Sequence, residues 1–351
     1  MSEFTTEKLL TSTEDLLPDF KVKGTVKQLG GGNINFVWRV DGDSDSLIAK
    51  YAPPHIATNP DVPMSSERIL FEANALSLFS SGGQLKSLAM QSIRPPKLLA
   101  FDPDLSLLLM EDVGAFTDLN RVALDYASSK TTGERLGQFI GNLHRKTFMN
   151  SELQNSFENL DIQKVRHQLQ YQPAHEYGEW DDPSTKTKIK KRSRDLGERL
   201  QSRGICLVMG DFWPPSVLVT EASDIRLIDW EFTHFGRPLQ DIGHFAAHCW
   251  MQNHTAGSTT DHNWWDDLWG SFIDAYKDAT GDRYSELLNT EEKEDIGIHI
   301  GTEILVRAFG PFKNGYVFES FDGDDPVLSE AKRAAAAFIC DPDAAVDHFG
   351  F

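Results

Sequence analysis

Cysteine is scarce in this chain: Cys206, Cys249 and Cys340 are the three among 351 residues, far apart and never in a C-x-x-C pair. An odd, scattered set builds neither a disulfide framework nor a zinc ribbon. Long apolar runs are missing too, since no stretch reaches the ~18 residues that a membrane span needs. The acidic opening MSEFTTEKLL has neither the basic head nor the apolar core of a signal peptide. Positive charge is in deficit, with 34 Lys and Arg against 53 Asp and Glu and a net charge of −19. Holding nucleic acid by its phosphates requires a basic stripe, so that partner class is excluded. No G-x-x-x-x-G-K-[ST] occurs, and no G-x-G-x-x-G lies between an opening strand and a helix, which removes the P-loop and dinucleotide-binding readings. The expectation is a cytoplasmic protein with neither membrane nor nucleic-acid partners, its oligomeric state left open.

What is present is ordinary globular material, 40% hydrophobic and 25% charged, in a chain long enough for about two domains without metal or disulfide staples. Short β-branched or aromatic runs at Thr25–Leu29, Phe36–Val40 and Ser46–Tyr51 read as strands. A helix is expected over Arg68–Phe79, capped by Ser65 or Ser66 and stopped at Ser81-Gly82-Gly83. Two further strands follow, one after Pro95-Pro96 and one at Leu105–Met110. The remainder reads as mainly helical, with apolar positions Leu136, Phe139, Ile140 and Leu143 on one face of a helix over Gly133–Arg145. Lys186–Arg203 reads as a very basic, solvent-facing helix, and short strands flank the loop Gly210–Ser216. The expected division is an N-terminal extension over 1–23, a strand-rich lobe over 24–113 and a helical lobe over 114–351.

Lys50 closes a run with the character of a buried strand, where a lysine needs a partner. Glu72 shares the apolar face of the next helix with Ile69, Leu76 and Phe79. Pairing the two satisfies both and aims an ammonium at a bound anion. The turn containing Gly31 and Gly32 could bring main-chain N–H groups close to phosphate. Asp211 lies in a Gly/Pro-rich loop between strands, a usual seat of catalytic residues. Asp229 and Glu231, two apart at a strand end, should project from one face and suit Mg²⁺, leaving Asp211 to accept a proton.

In this order the segments Gly32-Asn-Ile-Asn-Phe-Val37, Ser46–Pro54, Met110-Glu-Asp-Val113, Gly210–Ser216 and Ile228-Asp-Trp-Glu-Phe232 resemble the aminoglycoside phosphotransferase and choline kinase family, nearest its 5-methylthioribose kinase-like members. The resemblance covers roughly residues 24–310. It implies a two-lobed, protein-kinase-like α+β fold that transfers the γ-phosphoryl group of ATP to a hydroxyl of a small molecule such as a sugar, aminoglycoside or amino alcohol. It further implies ATP in the cleft between the lobes, its phosphates touched by Asn35 and Lys50 and its adenine by main-chain groups of Glu111, Asp112 and Val113. Mg²⁺ falls to Asp229, Glu231 and Ser216, the base role to Asp211, and acceptor contacts to Asp211, Trp213 and Arg307.

Three positions depart from the family. Met209 replaces a histidine that braces the catalytic loop, and Ser216 stands where most members have a metal-binding asparagine. Only Arg307 remains of the substrate-recognising Arg-Arg pair of methylthioribose kinases, with Val306 in the other place. The alternative function is a catalytically silent nucleotide-binding pseudokinase. His244 and His248, at i and i+4, lack the glutamate of H-E-x-x-H, so packing is preferred to zinc. Trp250, Trp264, Trp265 and Trp269, beside Asp261, Asp266 and Asp267, are likewise assigned to the core rather than to a pocket for cations. Asp241 is expected to hydrogen-bond the catalytic loop.

Overall fold

A computed structural model describes residues 4–30, 34–220, 223–256 and 264–351. Gly31 and Gly32, and Asp261 of the tryptophan cluster, lie outside the described residues. The chain forms two compact units, Met1–Phe116 with Arg226–Phe232, and Thr117–Ile225 with Thr233–Phe351. Residues 226–232 thus belong with the first unit, which a single cut near Val113 does not anticipate.

The first unit contains an antiparallel five-stranded sheet. Its strands are β1 (Val22–Gln28), β2 (Phe36–Gly42), β3 (Ser46–Tyr51), β4 (Leu98–Asp102) and β5 (Leu107–Glu111), in the order β1-β2-β3-β5-β4. Alternation along β3 sends Leu47 and Ala49 into a core with Leu9, Val40, Leu107 and Leu109, and Lys50 to the other face. Leu9 comes from helix α1 (Thr6–Leu16), so the segment expected as an extension contributes to this core. Its polar sequence buries only Leu9, Ser12 and Thr13, which left little apolar periodicity to read. Helix α2 (Arg68–Leu78) buries Arg68, Ile69, Glu72, Ala73, Ala75 and Leu76. Neither expected serine caps it. Glu67 occupies the cap without a side-chain bond, and Ser65 Oγ accepts from Glu67 N–H at 3.2 Å.

The second unit is largely helical, built on α3 (Tyr126–Thr147), α4 (Leu160–Arg166), α5 (Pro183–Arg199), α6 (Leu239–Ala256), α7 (Trp264–Thr280), α8 (Thr290–Ala308) and α9 (Pro326–Cys340). Gly133, Gly137 and Gly141, one turn apart on α3, let it lie directly on α7. A Cβ at Gly133 or Gly137 would sit 2.2 Å from the carbonyl oxygens of Leu268 and Phe272. Strands β6 (Cys206–Val208) and β8 (His234–Gly236) pair antiparallel, and β7 (Val217–Val219) follows the loop that carries Asp211. Two of the four tryptophans pack into the core as expected, while Trp250 and Trp264 are half-buried. Trp265 and Trp269 are buried, and Trp269 Nε1 donates to Phe349 O at 3.1 Å.

Among the described residues no helix is long and apolar enough to cross a membrane.

Candidate functional site

In the first unit five charged side chains meet. Lys50 Nζ lies 2.8 Å from Glu72 Oε2, 2.9 Å from Asp229 Oδ1 and 3.5 Å from Glu231 Oε1. Burial works against the Lys50 charge, but Asp229, Glu231 and Glu72 outweigh it and hold its pKa well above the ordinary lysine value. Burial raises the Glu72 carboxyl to about 7. Lys50 pulls against that shift, and Glu231 and Asp229 add to it. With Arg68 the set brings two cations to three carboxylates, oxygen ligands of the kind a divalent cation takes.

Arg68 was not read from the sequence. It is buried, donating to Asn35 Oδ1 at 3.0 Å and to the carbonyls of Ile34, Pro53 and Ser65 at 2.8, 3.0 and 2.6 Å. Asn35 Nδ2 in turn donates to Glu231 Oε2. Asn35 was expected to touch phosphate, but its amide is engaged at both ends in fixing Arg68 and Glu231. The only available signal was a cation four residues before Glu72, on the same apolar helix face.

Asp229 and Glu231 reach Lys50 by a route other than the expected strand alternation. The strand ends at Leu227, and Asp229 takes a left-handed φ of +63°, which Asp tolerates better than most residues. Trp230, fully buried against Phe79 and donating from Nε1 to Leu227 O at 2.8 Å, pins the short helical turn that follows. Glu231 is buried, whereas the Asp229 side chain is 45% exposed. Asp229 is therefore the carboxylate best placed to receive a metal ion.

At the segment expected to meet adenine, Glu111 forks onto Arg94 at 2.5 and 2.7 Å, and its own N–H donates to Lys97 O at 2.9 Å. Asp112 accepts from Ser46 Oγ at 2.6 Å and from Gly114 N–H at 2.9 Å. These side chains brace the strand exit. Because the Glu111 N–H is committed, a donor toward adenine would come from Asp112 or Val113.

In the second unit Asp211 is held from two sides. Arg166 Nη2 donates to its Oδ1 at 3.0 Å, and His244 Nε2 lies 3.4 Å away. Burial raises the Asp211 pKa, but His244, Arg166 and Arg307 prevail and keep it below the usual carboxylate value. Asp241 ties down the loop as expected. Its two oxygens accept from Met209 N–H at 2.9 Å and Gly210 N–H at 2.8 Å, and His144 lies at 3.0 Å. These bonds run to the main chain, so the loop is anchored with Met209 in place of histidine. Ser216 Oγ is buried and makes no hydrogen bond among the described residues.

Beyond Asp211, helix α8 presents His299, Glu303 and Arg307 at successive turns. Arg307 Nε donates to Glu303 Oε1 at 2.7 Å. Its guanidinium lies 4.5 Å from the Trp213 ring, 5.3 Å from Tyr316 and 5.4 Å from Phe312. His248 Nε2 reaches Glu303 at 3.2 Å, and its Nδ1 pairs with Tyr316 Oη at 2.8 Å. Burial takes the His248 pKa down to about 3, so the ring is neutral. His244, His248 and Glu303 bring ligand-type atoms within 4.8 Å of one another. Arg307 already neutralises Glu303, which disfavours a second cation there. Arg166 escaped the sequence reading because its partner Asp211 lies 45 residues away along the chain, whereas Glu303 is the carboxylate one turn before Arg307 that the sequence offers as its ion-pair partner.

The profile of the phosphotransferase enzyme family matches residues 25–287. The chain belongs to that family. As a family member it is a small-molecule phosphotransferase. It is 30% identical over 252 residues to 4-hydroxytryptamine kinase of Psilocybe cyanescens, covering 64% of this chain and 67% of the relative. Against methylthioribose kinase of Bacillus cereus it is 24% identical over 243 residues, covering 63% of this chain and 58% of that protein. Among solved structures, amicoumacin kinase in complex with AMP-PNP and Ca²⁺ superposes with a TM-score of 0.54 at 13% identity, covering 95% of this chain and 92% of the other. Choline kinase from Streptococcus pneumoniae gives 0.50 at 14% identity, covering 95% and 98%. At these identities the likeness is one of fold, the protein-kinase-like α+β architecture.

Proposed function

We propose that this phosphotransferase moves the γ-phosphoryl group of ATP to a hydroxyl of a small molecule, with Lys50 on the phosphates and Asp211 at the acceptor. The observation that carries the reading is Asp211 itself, kept ionised by Arg166 and His244 on a loop whose main chain Asp241 clamps. Phosphoryl transfer through a loose transition state asks for positioning and charge neutralisation more than for a strong base. A low-pKa carboxylate fits that task, orienting the acceptor hydroxyl and taking its proton late. Lys50 is held as a cation by three carboxylates and answers phosphate charge. Asp229, with Glu231 as a further ligand, would hold Mg²⁺, which supplies charge neutralisation on the phosphates.

For the acceptor, Trp213, Tyr316 and Phe312 around Arg307 offer flat apolar surface next to a fixed cation. That surface favours an acceptor with a planar portion, in keeping with the relative named for 4-hydroxytryptamine. Methylthioribose is disfavoured because Val306 replaces the partner arginine.

Purified protein with Mg-ATP should release ADP only with the right acceptor, tested over hydroxyindoles, amino alcohols, sugars and aminoglycosides. Asp211→Asn should cut turnover by roughly 10²–10⁴-fold while leaving nucleotide affinity nearly unchanged. A failure to release ADP with any acceptor of the panel would favour the silent pseudokinase, and near-normal turnover of the variant would remove Asp211 from the mechanism.

A further inference from the structure

Helix α5 is the electrostatic exception in an acidic protein: Pro183–Arg199 carries seven basic and two acidic residues, while the whole chain sums to −19. Lys190 and Arg194, one turn apart on α5, form one wall of a groove of about 290 Å³. Gln168 and Gln172, also one turn apart, line it too, together with His175 and Glu176. Arg194 has only a loose contact with Glu198 at 3.8 Å, and Lys190 has no ion pair among the described residues. The single acid lining the groove, Glu176, faces His175 Nε2 at 3.5 Å. His175 is buried and its ring interacts with the Gln172 backbone and with Glu176. Two cations and two amide donors around one small concavity are a donor set for an oxyanion. The volume exceeds that of a bare phosphate group and falls just below the ~300–1,000 Å³ typical of drug-sized ligand sites.

The groove is built on a functional element. Gln168 belongs to a π-helical turn, His167–Tyr171, a geometry that recurs at functional sites. Arg166, the residue before that turn, is the one that holds Asp211, and Tyr171 on it bonds His299 of α8 at 2.6 Å.

We infer that this groove binds a small phosphate-type dianion, either free phosphate or a phosphomonoester of a small alcohol, at a site separate from Lys50 and Asp211. Calorimetric titration of the full chain with inorganic phosphate, and separately with glycerol 3-phosphate, tests it. Saturable binding is expected, weakened about tenfold or more in Lys190→Glu/Arg194→Glu, reduced by added NaCl and retained in Lys50→Ala. The charge-neutral pair Lys190→Met/Arg194→Met should weaken it as well, which guards against a folding defect in the reversed pair. Equal affinity for the two probes assigns the site to the free oxyanion, and tighter ester binding assigns it to the organic phosphate. No saturable binding of either probe, or binding that Lys50→Ala abolishes and the groove variants leave intact, overturns the inference.

Discussion

Replacing Lys50 by methionine isolates the energetics of the buried charge cluster. The substitution keeps most of the apolar stem and removes one cation from a set of two cations and three carboxylates. Glu72 and Glu231, 1% and 4% exposed, then share the cluster with Asp229 and have Arg68 alone to offset them. Breaking a buried ion pair from one side costs about 3–5 kcal/mol, because the stranded charge keeps its desolvation penalty. Adding Glu72→Gln removes that stranded charge, so the double variant should recover much of the loss. Urea unfolding of the parent, both single variants and the double variant gives the coupling energy directly. The cost of Lys50→Met should also shrink at pH 5, where the buried carboxylates are free to take up protons. A Lys50→Met penalty below about 1 kcal/mol, or single-variant effects that simply add, would refute the account of the cluster as mutually dependent. Catalysis should be lost in both Lys50 variants whatever their stability, which separates the phosphate role from the structural one.

The helix pair α3–α7 offers an internally controlled test. Gly137→Ala drives a Cβ into the Phe272 carbonyl at 2.2 Å and should cost several kcal/mol in thermal or urea unfolding. Gly270→Ala, on α7 with nothing within 4 Å, should stabilise by about 0.5–1 kcal/mol. Arg307→Lys should raise the acceptor KM with little change in the ATP KM, since an ammonium cannot keep both the Glu303 bond and the planar stack on Trp213. Equal damage to both constants would assign Arg307 to structure. Burial lifts the Glu292 pKa to about 7, despite Arg237 and the Leu239 N–H drawing it down. The folded state therefore binds that proton more tightly than the unfolded chain. The stability of the parent relative to Glu292→Gln should rise as pH falls from about 7 to 4.5 and stay constant above that window. A difference independent of pH would show that Glu292 stays ionised in the fold.

Much of this protein could be read from local pattern. The antiparallel strands, helix α2 and the helical remainder each announce themselves through periodicity and turn residues, which depend on near neighbours. Lys50 and Glu72 were legible as a pair because each carries a charge at a position its own element buries, and the loop of Asp211 was legible from its Gly/Pro chemistry. Other features depended on which distant segments meet. Residues 226–232 join the first unit, and Asp229 turns toward Lys50 through a left-handed backbone and a short helical turn that period-two alternation does not anticipate. Arg68 reads as an ordinary helix-start cation until Asn35 and Glu231 surround it. Arg166, His244, Glu303 and Arg307 come from three helices, and no spacing in the chain links them to Asp211. Residue types and periods determined which groups were available. Burial and long-range packing decided their charge states and partners, because desolvation and Coulomb forces depend on distance in space and not on separation along the chain.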